Sequence, residues 1–557
     1  MKLATNMLPN KQKTASATVI DLQAIIKEKE HSIQQKNSQI KKNKEQLAHK
    51  KQQIEQLLDY IQLLRHKRFG RKSEQYNPDQ KGLFDEAELE QLLVDEPELA
   101  AEMDDTDVPS STATASKTNK PVRRPLPTRL ERVEKIIDLP EAEKKAMGDQ
   151  WKLIGYVESE QLAIIPRQCY VVLTKRAKYA RKDDSGIDAE QNIKIAPRPM
   201  QIIPKSIGHS SLIAEVVTGK FVDGLPFYRQ EKAFARDGID LSRQTMSGWV
   251  IQLDANFSAL MQLMKRQFYE GKVIHIDETR LQVLKEPDRE NTQQSYMWVY
   301  RGGLPDRPVI WFQYHESRRG QVPVDFLYPS EGIGNVHSLP HHSLTLMTDG
   351  YRGYNALCQQ PGITKHAACW AHARRKFVEA TKGRKNTAAA HQMVSLVAKL
   401  YQIERFTKDH TADERKVIRQ AKAKPILDKI KIWLDSKAGK VLPKSLLGKA
   451  IGYTLALWPQ LIVYLEEGTI PIDNNPAENA IRPFVIGRKN WLFSGSPRGA
   501  HASATLYSLI ESAKANGLEP RAYLNHLFEA LPNADTEQAL EKLLPQNIQK
   551  SDLMQLS

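Results

Sequence analysis

The chain has 557 residues, and its 81 basic against 66 acidic side chains leave a formal charge of +15 and a pI near 9.3. At 40% hydrophobic and 7% aromatic it can build packed cores, so a wholly disordered chain is excluded. Three cysteines (Cys169, Cys358, Cys369) exclude a disulfide framework, the N-terminus lacks the apolar core of a signal peptide, and the longest run without a charged residue or histidine, 450–465, is too short and polar to cross a bilayer. The expectation is a cytoplasmic protein of about three to five domains at roughly 150 residues each. Its charge favours a polyanionic partner, nucleic acid above all, and no membrane.

The first element is a heptad helix. Ile26, Ile33, Ile40, Leu47, Ile54 and Ile61 recur every seventh residue. A second row, Leu22, Lys29, Lys36, Asn43, Lys50, Leu57 and Leu64, is apolar only at its ends. No Gly or Pro interrupts 19–69. Residues 1–75 therefore read as a coiled coil for homo-oligomerisation, with polar central positions that set register. A single amphipathic helix lying on its own protein is the alternative.

Residues 76–124 read as a linker. Eleven acidic residues and no basic one lie between Asp85 and Asp107, followed by a Ser/Thr-rich piece and then basic residues. An acidic DNA mimic is the other reading. Residues 125–210 read as a small mixed domain with strands at 162–165 and 169–173. Residues 211–270 read as helical, with a helix at 227–235, a turn at 236–240 and a second helix at 242–253 capped by Ser242. This is the pattern of a helix-turn-helix that contacts DNA through Arg243 and Gln244, and equally that of a plain helical hairpin.

From 271 the pattern changes to strands: 272–277 ending at Asp277, then 282–284, 296–300 and 308–312, with Gly302-Gly303 as the turn between the last two. A helix at 322–327, a strand at 343–350 carrying Asp349 and a last strand at 365–370 complete the layout of an RNase H-like core. The expected fold class is thus α/β multidomain. An RNase H-like catalytic core, a mixed sheet with flanking helices, occupies 271–377 and 471–530. A large helical insertion lies at 378–470 and a C-terminal tail at 531–557. The coiled coil and the helix-turn-helix-like region precede the core.

Carboxylates at the ends of adjacent strands suit divalent cations, and two cations can stabilise both the attacking and the leaving oxygen of a displacement at phosphorus. Such a site needs a third carboxylate, and Glu478 is the candidate. With Asn475 as cap and Pro476 as first helical residue, Glu478 also fits a capping box, and Asp277 or Asp349 alone fits a turn. Beyond Glu478 lie Arg482, Arg488, Lys489 and Trp491. The arginines and the lysine suit phosphate, and Trp491 suits stacking on an unpaired base or packing in a core. Cys369 and His372 are spaced like half a metal site without a second pair. His372 with Arg374, Arg375 and Lys376 either faces DNA or forms the basic face of a helix.

Several blocks together resemble the insertion sequence 66 family transposases of the DDE class. They are His275-Ile276-Asp277-Glu278-Thr279, Thr348-Asp349-Gly350-Tyr351-Arg352-Gly353-Tyr354, Cys369-Trp370-Ala371-His372 through Phe377, and Asn474-Asn475-Pro476-Ala477-Glu478 through Trp491. The blocks at 69–74 and around Tyr228 and Ser242 extend the resemblance over most of the chain. The resemblance implies Asp277, Asp349 and Glu478 as catalytic and metal-binding residues. It implies Mg²⁺ as cofactor with Mn²⁺ as substitute, and as substrates the terminal inverted repeats of an element and target DNA. The protein would be nucleoid-associated when bound, and element-encoded accessory proteins are further expected partners. One departure stands out. The family's cysteine-based zinc module falls at 125–210, where only Cys169 is present, so no zinc is expected there. An inactive or domesticated DNA-binding relative is the competing reading, and a coiled-coil scaffold a third.

Overall fold

The computed structural model describes residues 10–69, 132, 140, 145, 168–180, 193–329, 344–382 and 387–554. The expected linker 76–124, the strand at 162–165 and residues 70–74 lie outside these. By contact the chain divides into two units, residues 101–198 and the remainder.

Helix α1 (Asn10–Phe69) runs without a break. Its heptad row is in the open: Ile33 is 56% exposed and Leu47 is 72% exposed. In the 101–198 unit, β1 (Lys178–Ala180) pairs antiparallel with β2 (Ile193–Ile195). The strand expected at 169–173 does not form, and Tyr170, Val171, Val172 and Leu173 are exposed. The apolar, β-branched composition there is not matched by a paired neighbour among the described residues, and propensity alone does not hold a strand.

Four helices precede the main sheet: α2 (Ser210–Phe221), α3 (Phe227–Arg236), α4 (Arg243–Asn256) and α5 (Ser258–Phe268). Ser242 caps α4 as expected, its side chain accepting from Thr245 N at 3.2 Å. Gly238, at φ +76°, makes the α3–α4 turn that a side chain would strain. The sheet comprises β3 (Val273–Gln282), β4 (Gln294–Leu304), β5 (Arg307–His315), β6 (Leu344–Thr348) and β7 (Ile363–Ala368), in the order β5-β4-β3-β6-β7. Pairing is antiparallel from β5 to β3 and parallel from β3 to β7. Helix α6 (Gln321–Leu327) links β5 towards β6.

Two expectations about this sheet need correction. Residues 272–277 and 282–284 are not separate strands. The β3–β4 ladder runs unbroken from His275 to Gln282, so Asp277 sits mid-strand, opposite Val299. On its other side the β6 ladder ends at His275–Met347, which frees Asp277 towards that edge. Gly302 and Gly303 are not the hairpin turn either: they lie within β4, and the chain reverses at Pro305-Asp306. A Cβ on Gly302 would meet the Phe268 carbonyl at 2.6 Å, so it serves the close approach of α5, while Gly303, at φ +78°, lies against Arg307 O of β5 where a Cβ would come within 2.7 Å.

Alternate residues of the strands enter two cores. Ile274, Ile276, Leu344 and Leu346 join the core with α2–α5. Met347, Ala367 and Ala368 face the second core, built by the inserted helices α7 (Trp370–Thr381), α8 (Thr387–Phe406), α9 (Lys424–Ala438) and α10 (Leu446–Ala456). The chain then returns through α11 (Asn475–Trp491), α12 (Pro497–Ala515) and α13 (Pro520–Ala530). Helix α12 seals the edge strand: Ile310 N donates to Ser512 Oγ at 2.9 Å and Phe312 N to Ser508 Oγ at 2.8 Å. Within the expected tail the described residues 531–554 are packed, with Leu543, Leu544, Ile548 and Leu553 buried in the first core. Among the described residues no single helix is long and apolar enough to cross a membrane. One pair bent by 70°, Leu446–Ala456 with Trp458–Leu465, passes by length and composition, and it packs Leu447, Ile451 and Leu461 into the second core.

Candidate active site

Three elements meet at one place. Strand β3 carries Asp277, the loop leaving β6 carries Asp349, and the first turn of α11 carries Glu478. The Asp277 carboxyl is pushed well above the usual carboxylate range, first by burial, then by the negative charges of Glu278, Glu478 and Asp349. Asp277 and Asp349 each follow the last β3–β6 pair, His275–Met347, by two residues, and Asn474 ties the start of α11 to Ile276 O at 2.9 Å, so the fold places the three predicted carboxylates in one neighbourhood. Asp277 Oδ1 accepts from Glu278 N at 2.9 Å, and Asp349 Oδ1 accepts from Tyr351 N at 2.8 Å.

Glu278, next to Asp277, is already engaged. It accepts from the Tyr354 hydroxyl and, at 2.6 Å, from Arg318 Nε. The Arg318 guanidinium also lies 4.0 Å from the Tyr351 ring centroid. Of the two adjacent acids, Asp277 is therefore the one without a cationic partner of its own among these contacts.

The capping reading of Glu478 does not hold. Asn474, one residue earlier than expected, occupies the cap position, and Glu478 reaches sideways. Its Oε1 lies 3.3 Å from His372 Nδ1 and 4.0 Å from Cys369 Sγ, and its Oε2 accepts from Arg375 Nη2 at 3.3 Å. The sequence offered Arg375 only as part of a basic run. Its place one helical turn after His372 on α7 makes it a partner of Glu478.

Asn474 is a second residue that the pattern did not single out. It is fully buried and fastens α11 to β3. Its Nδ2 donates to Ile276 O at 2.9 Å, its Oδ1 is 2.9 Å from His275 Nδ1, and its backbone N donates to Cys369 Sγ at 3.2 Å. Burial and the nearby Arg301 hold the His275 pKa down at about 3, so this imidazole stays neutral and structural. Nothing local in the sequence distinguishes such a buried bracket from a turn asparagine.

The predicted DNA-facing residues divide. Arg488 and Lys489 are on the last turns of α11 rather than in a loop. Arg488 Nη1 donates to Thr279 Oγ1 at 3.0 Å, and the side chain lines an open cleft of about 290 Å³ with Glu278, Thr279, Arg280, Tyr296 and Arg318. Lys489 is exposed and Arg482 half-buried, on the same face of α11 as Glu478. Trp491 is half-buried, its ring edge-on to Phe484 at 5.4 Å. Arg243 and Gln244 are exposed at the start of α4, where Arg243 N donates to Glu231 Oε1 at 3.0 Å. His372 is half-buried beside Glu478. Arg374 is a correction: it is 1% exposed, on the inward stripe of α7 with Trp370, Ala373 and Phe377, so it does not face DNA.

Comparison with known proteins identifies the family. The profile described as Transposase IS66 family matches residues 205–502, and the IS66 C-terminal element matches 508–546. A third profile, Transposase C of IS166 homeodomain, matches 56–134, so a homeodomain-like, DNA-binding region lies where composition showed mostly charge. Among curated proteins of Sinorhizobium fredii, the uncharacterized protein y4jD is 32% identical over 435 residues, 76% of this chain and 81% of its own. The uncharacterized protein y4qI is 30% identical over 446 residues, 77% of this chain and 79% of its own. The uncharacterized protein y4hP is 28% identical over 511 residues, 87% of each. With the family profile spanning 205–502 and these relatives covering most of the chain, this protein belongs to the IS66 family of transposases.

Proposed function

We propose that the chain is an RNase H-like DDE transposase that cuts DNA at the ends of its element and joins them to target DNA. The observation that carries this reading is the convergence of Asp277, Asp349 and Glu478 from three separate segments: Asp277 and Asp349 each lie two residues past the last β3–β6 pair, and Asn474, at the start of the helix that bears Glu478, donates to the Ile276 carbonyl beside Asp277. The five-stranded order β5-β4-β3-β6-β7, antiparallel then parallel, also supports it.

The donor set is all carboxylate oxygen, which fits Mg²⁺ or its substitute Mn²⁺. Like-charged carboxylates gathered in one place are what a divalent cation would relieve. When bound, such cations supply charge neutralisation for an in-line displacement at phosphorus. The protein's own residues then position the substrate. Arg488, held against Thr279, presents its guanidinium to a phosphate entering the cleft. Lys489 and Arg482 extend positive charge along the same helix, and Arg243 and Gln244 offer a second DNA-facing surface on α4. His372, beside Glu478, and Trp491, at the end of the same helix, are proposed as further DNA contacts.

Two reactions follow one another. A water oxygen bonds to the phosphorus at the element end, the P–O3′ bond breaks, and the 3′-oxygen leaves with a proton as a hydroxyl. That 3′-oxygen then bonds to a target phosphorus and the target's own 3′-oxygen leaves. The number of phosphodiester bonds is conserved in the second step, so no external energy source is needed.

Helix α1 is proposed as the homo-oligomer contact, because its heptad row is exposed on a single chain. Element-encoded accessory proteins and association with the nucleoid belong to the same proposal. The decisive experiment incubates labelled DNA from the flanks of the gene with Mg²⁺ or Mn²⁺, using wild type and Glu478→Gln. Cuts at an inverted repeat by wild type alone are expected. Specific binding with no cutting by either protein would favour an inactive DNA-binding relative.

A further inference from the structure

Cys369 and His372 look in the sequence like half a metal site with no second half. The fold supplies the missing ligand from more than a hundred residues away. A sulfur, an imidazole nitrogen and a carboxylate oxygen, from Cys369, His372 and Glu478, all lie within 4.8 Å of one another. We infer that these three residues form a site for a thiophilic divalent cation, Zn²⁺ foremost, whose ligand set differs from that of the carboxylate centre and shares Glu478 with it.

The atoms that face each other are the right ones. His372 Nδ1 and Glu478 Oε1 are 3.3 Å apart. Zinc–ligand bonds of about 2.0–2.3 Å at tetrahedral angles place ligand atoms about 3.3–3.6 Å from each other. The Cys369 Sγ to Glu478 Oε1 distance, 4.0 Å, is slightly longer than that, so closure needs only a small side-chain adjustment. His372 Nδ1 is buried and makes no hydrogen bond, despite the carboxylate beside it. A buried, unbonded imidazole nitrogen turned towards a thiol and a carboxylate is an unspent ligand atom.

The neighbouring groups fix the orientation of two of the three ligands. Cys369 Sγ accepts the backbone N–H of Asn474 at 3.2 Å, at the start of α11. That amide favours the thiolate, but burial and the negative charges of Asp473 and Glu478 push the thiol up, so a cation would have to displace its proton on binding. Arg375 holds the opposite oxygen, Oε2, and so turns Oε1 towards the sulfur and the imidazole, the orienting role that outer partners play around metals. Three protein ligands leave a fourth position for water or a DNA oxygen. Thiolate and imidazole select Zn²⁺ over Mg²⁺, which takes oxygen.

A consequence follows that rests on the proposed function. Zn²⁺ in this site would take Glu478 away from Asp277 and Asp349, so micromolar Zn²⁺ should suppress Mg²⁺-dependent cleavage.

The test of the site itself needs no DNA. Purified full-length protein, kept reduced, is titrated with Co²⁺ as a spectroscopic stand-in for Zn²⁺. A thiolate-to-cobalt charge-transfer band in the near ultraviolet is expected, saturating at one Co²⁺ per chain and bleached by Zn²⁺. The band should persist in the Cys169→Ser, Cys358→Ser double variant, which removes the other two thiols, and in Asp349→Asn. It should vanish in Cys369→Ser, and the affinity should fall tenfold or more in His372→Ala and Glu478→Gln. His372→Ala keeps the test usable if Cys369→Ser fails to fold. No saturable band in wild type, or a band that survives Cys369→Ser or is indifferent to His372→Ala, overturns the inference. Cobalt binding without DNA cleavage would leave this site standing and remove the proposed function. Cleavage without cobalt binding would do the reverse.

Discussion

The N-terminal helix and the carboxylate centre carry their information in opposite ways. In α1 everything is local: one row of Ile and Leu repeats along a single segment, and the helix forms over that segment. Among the described residues nothing covers that row. At the centre nothing is local: His275 and Asn474 meet across 199 positions, and Cys369 and Glu478 across 109. Yet every contact there is made within one chain. A periodic stripe is thus legible in the sequence before anything covers it, whereas a cluster of distant residues is legible only after the sheet has assembled it.

The sharpest way to break this comparison is to remove one member of the centre. Asp277→Asn should lower cleavage about a thousandfold or more, since a lost metal ligand costs several kcal/mol at the transition state. Binding to element ends should be unchanged in a gel-shift assay. The same substitution should raise the melting temperature at pH 7 in the presence of a chelator. The folded pKa lies above the unfolded value near 3.8, so this carboxyl costs stability: the cost is absent below the unfolded value, grows as pH rises from there towards the folded value, and is constant above it. A variant that cuts normally would remove Asp277 from the site, and one that melts earlier would refute the charge repulsion.

For α1, deleting residues 1–69 should lower the particle mass measured by light scattering to that of fewer chains. An unchanged mass would move the oligomer contact elsewhere. Between the two regions in size stands Asn474→Ala. It leaves His275 and the Ile276 carbonyl without their partner, and should cost about 1–3 kcal/mol in urea unfolding. A cost near zero would mean that α11 is held to β3 by packing alone. The smallest effect belongs to Arg488→Ala, which should weaken DNA binding several-fold and reduce the salt slope by about one. An unaltered slope would show that Arg488 serves only Thr279.

The helices around Ser242 and the strand positions of β4, β5 and β6 were legible because caps, turns and alternation are short-range signals. The split of β3 was misread because Glu278-Thr279-Arg280 looks polar, although β4 pairs with it throughout. Gly302-Gly303 looked like a turn because a sequence shows permissive backbone but not the helix and strand that crowd it. Arg374 looked like a DNA contact because a run of basic residues does not reveal which of them face inward.

The sequence by itself determined the heptad row, the three carboxylates in their order, and the basic residues that follow the last of them. Side-chain type and spacing are properties of the chain alone. Only the tertiary structure decided that Glu478 leaves its helix start to face Cys369, His372 and Arg375, that Asn474 clamps α11 to β3, and that Arg374 is buried. Those outcomes depend on distant segments excluding water from a shared volume, where each polar group must find a partner made available by the fold.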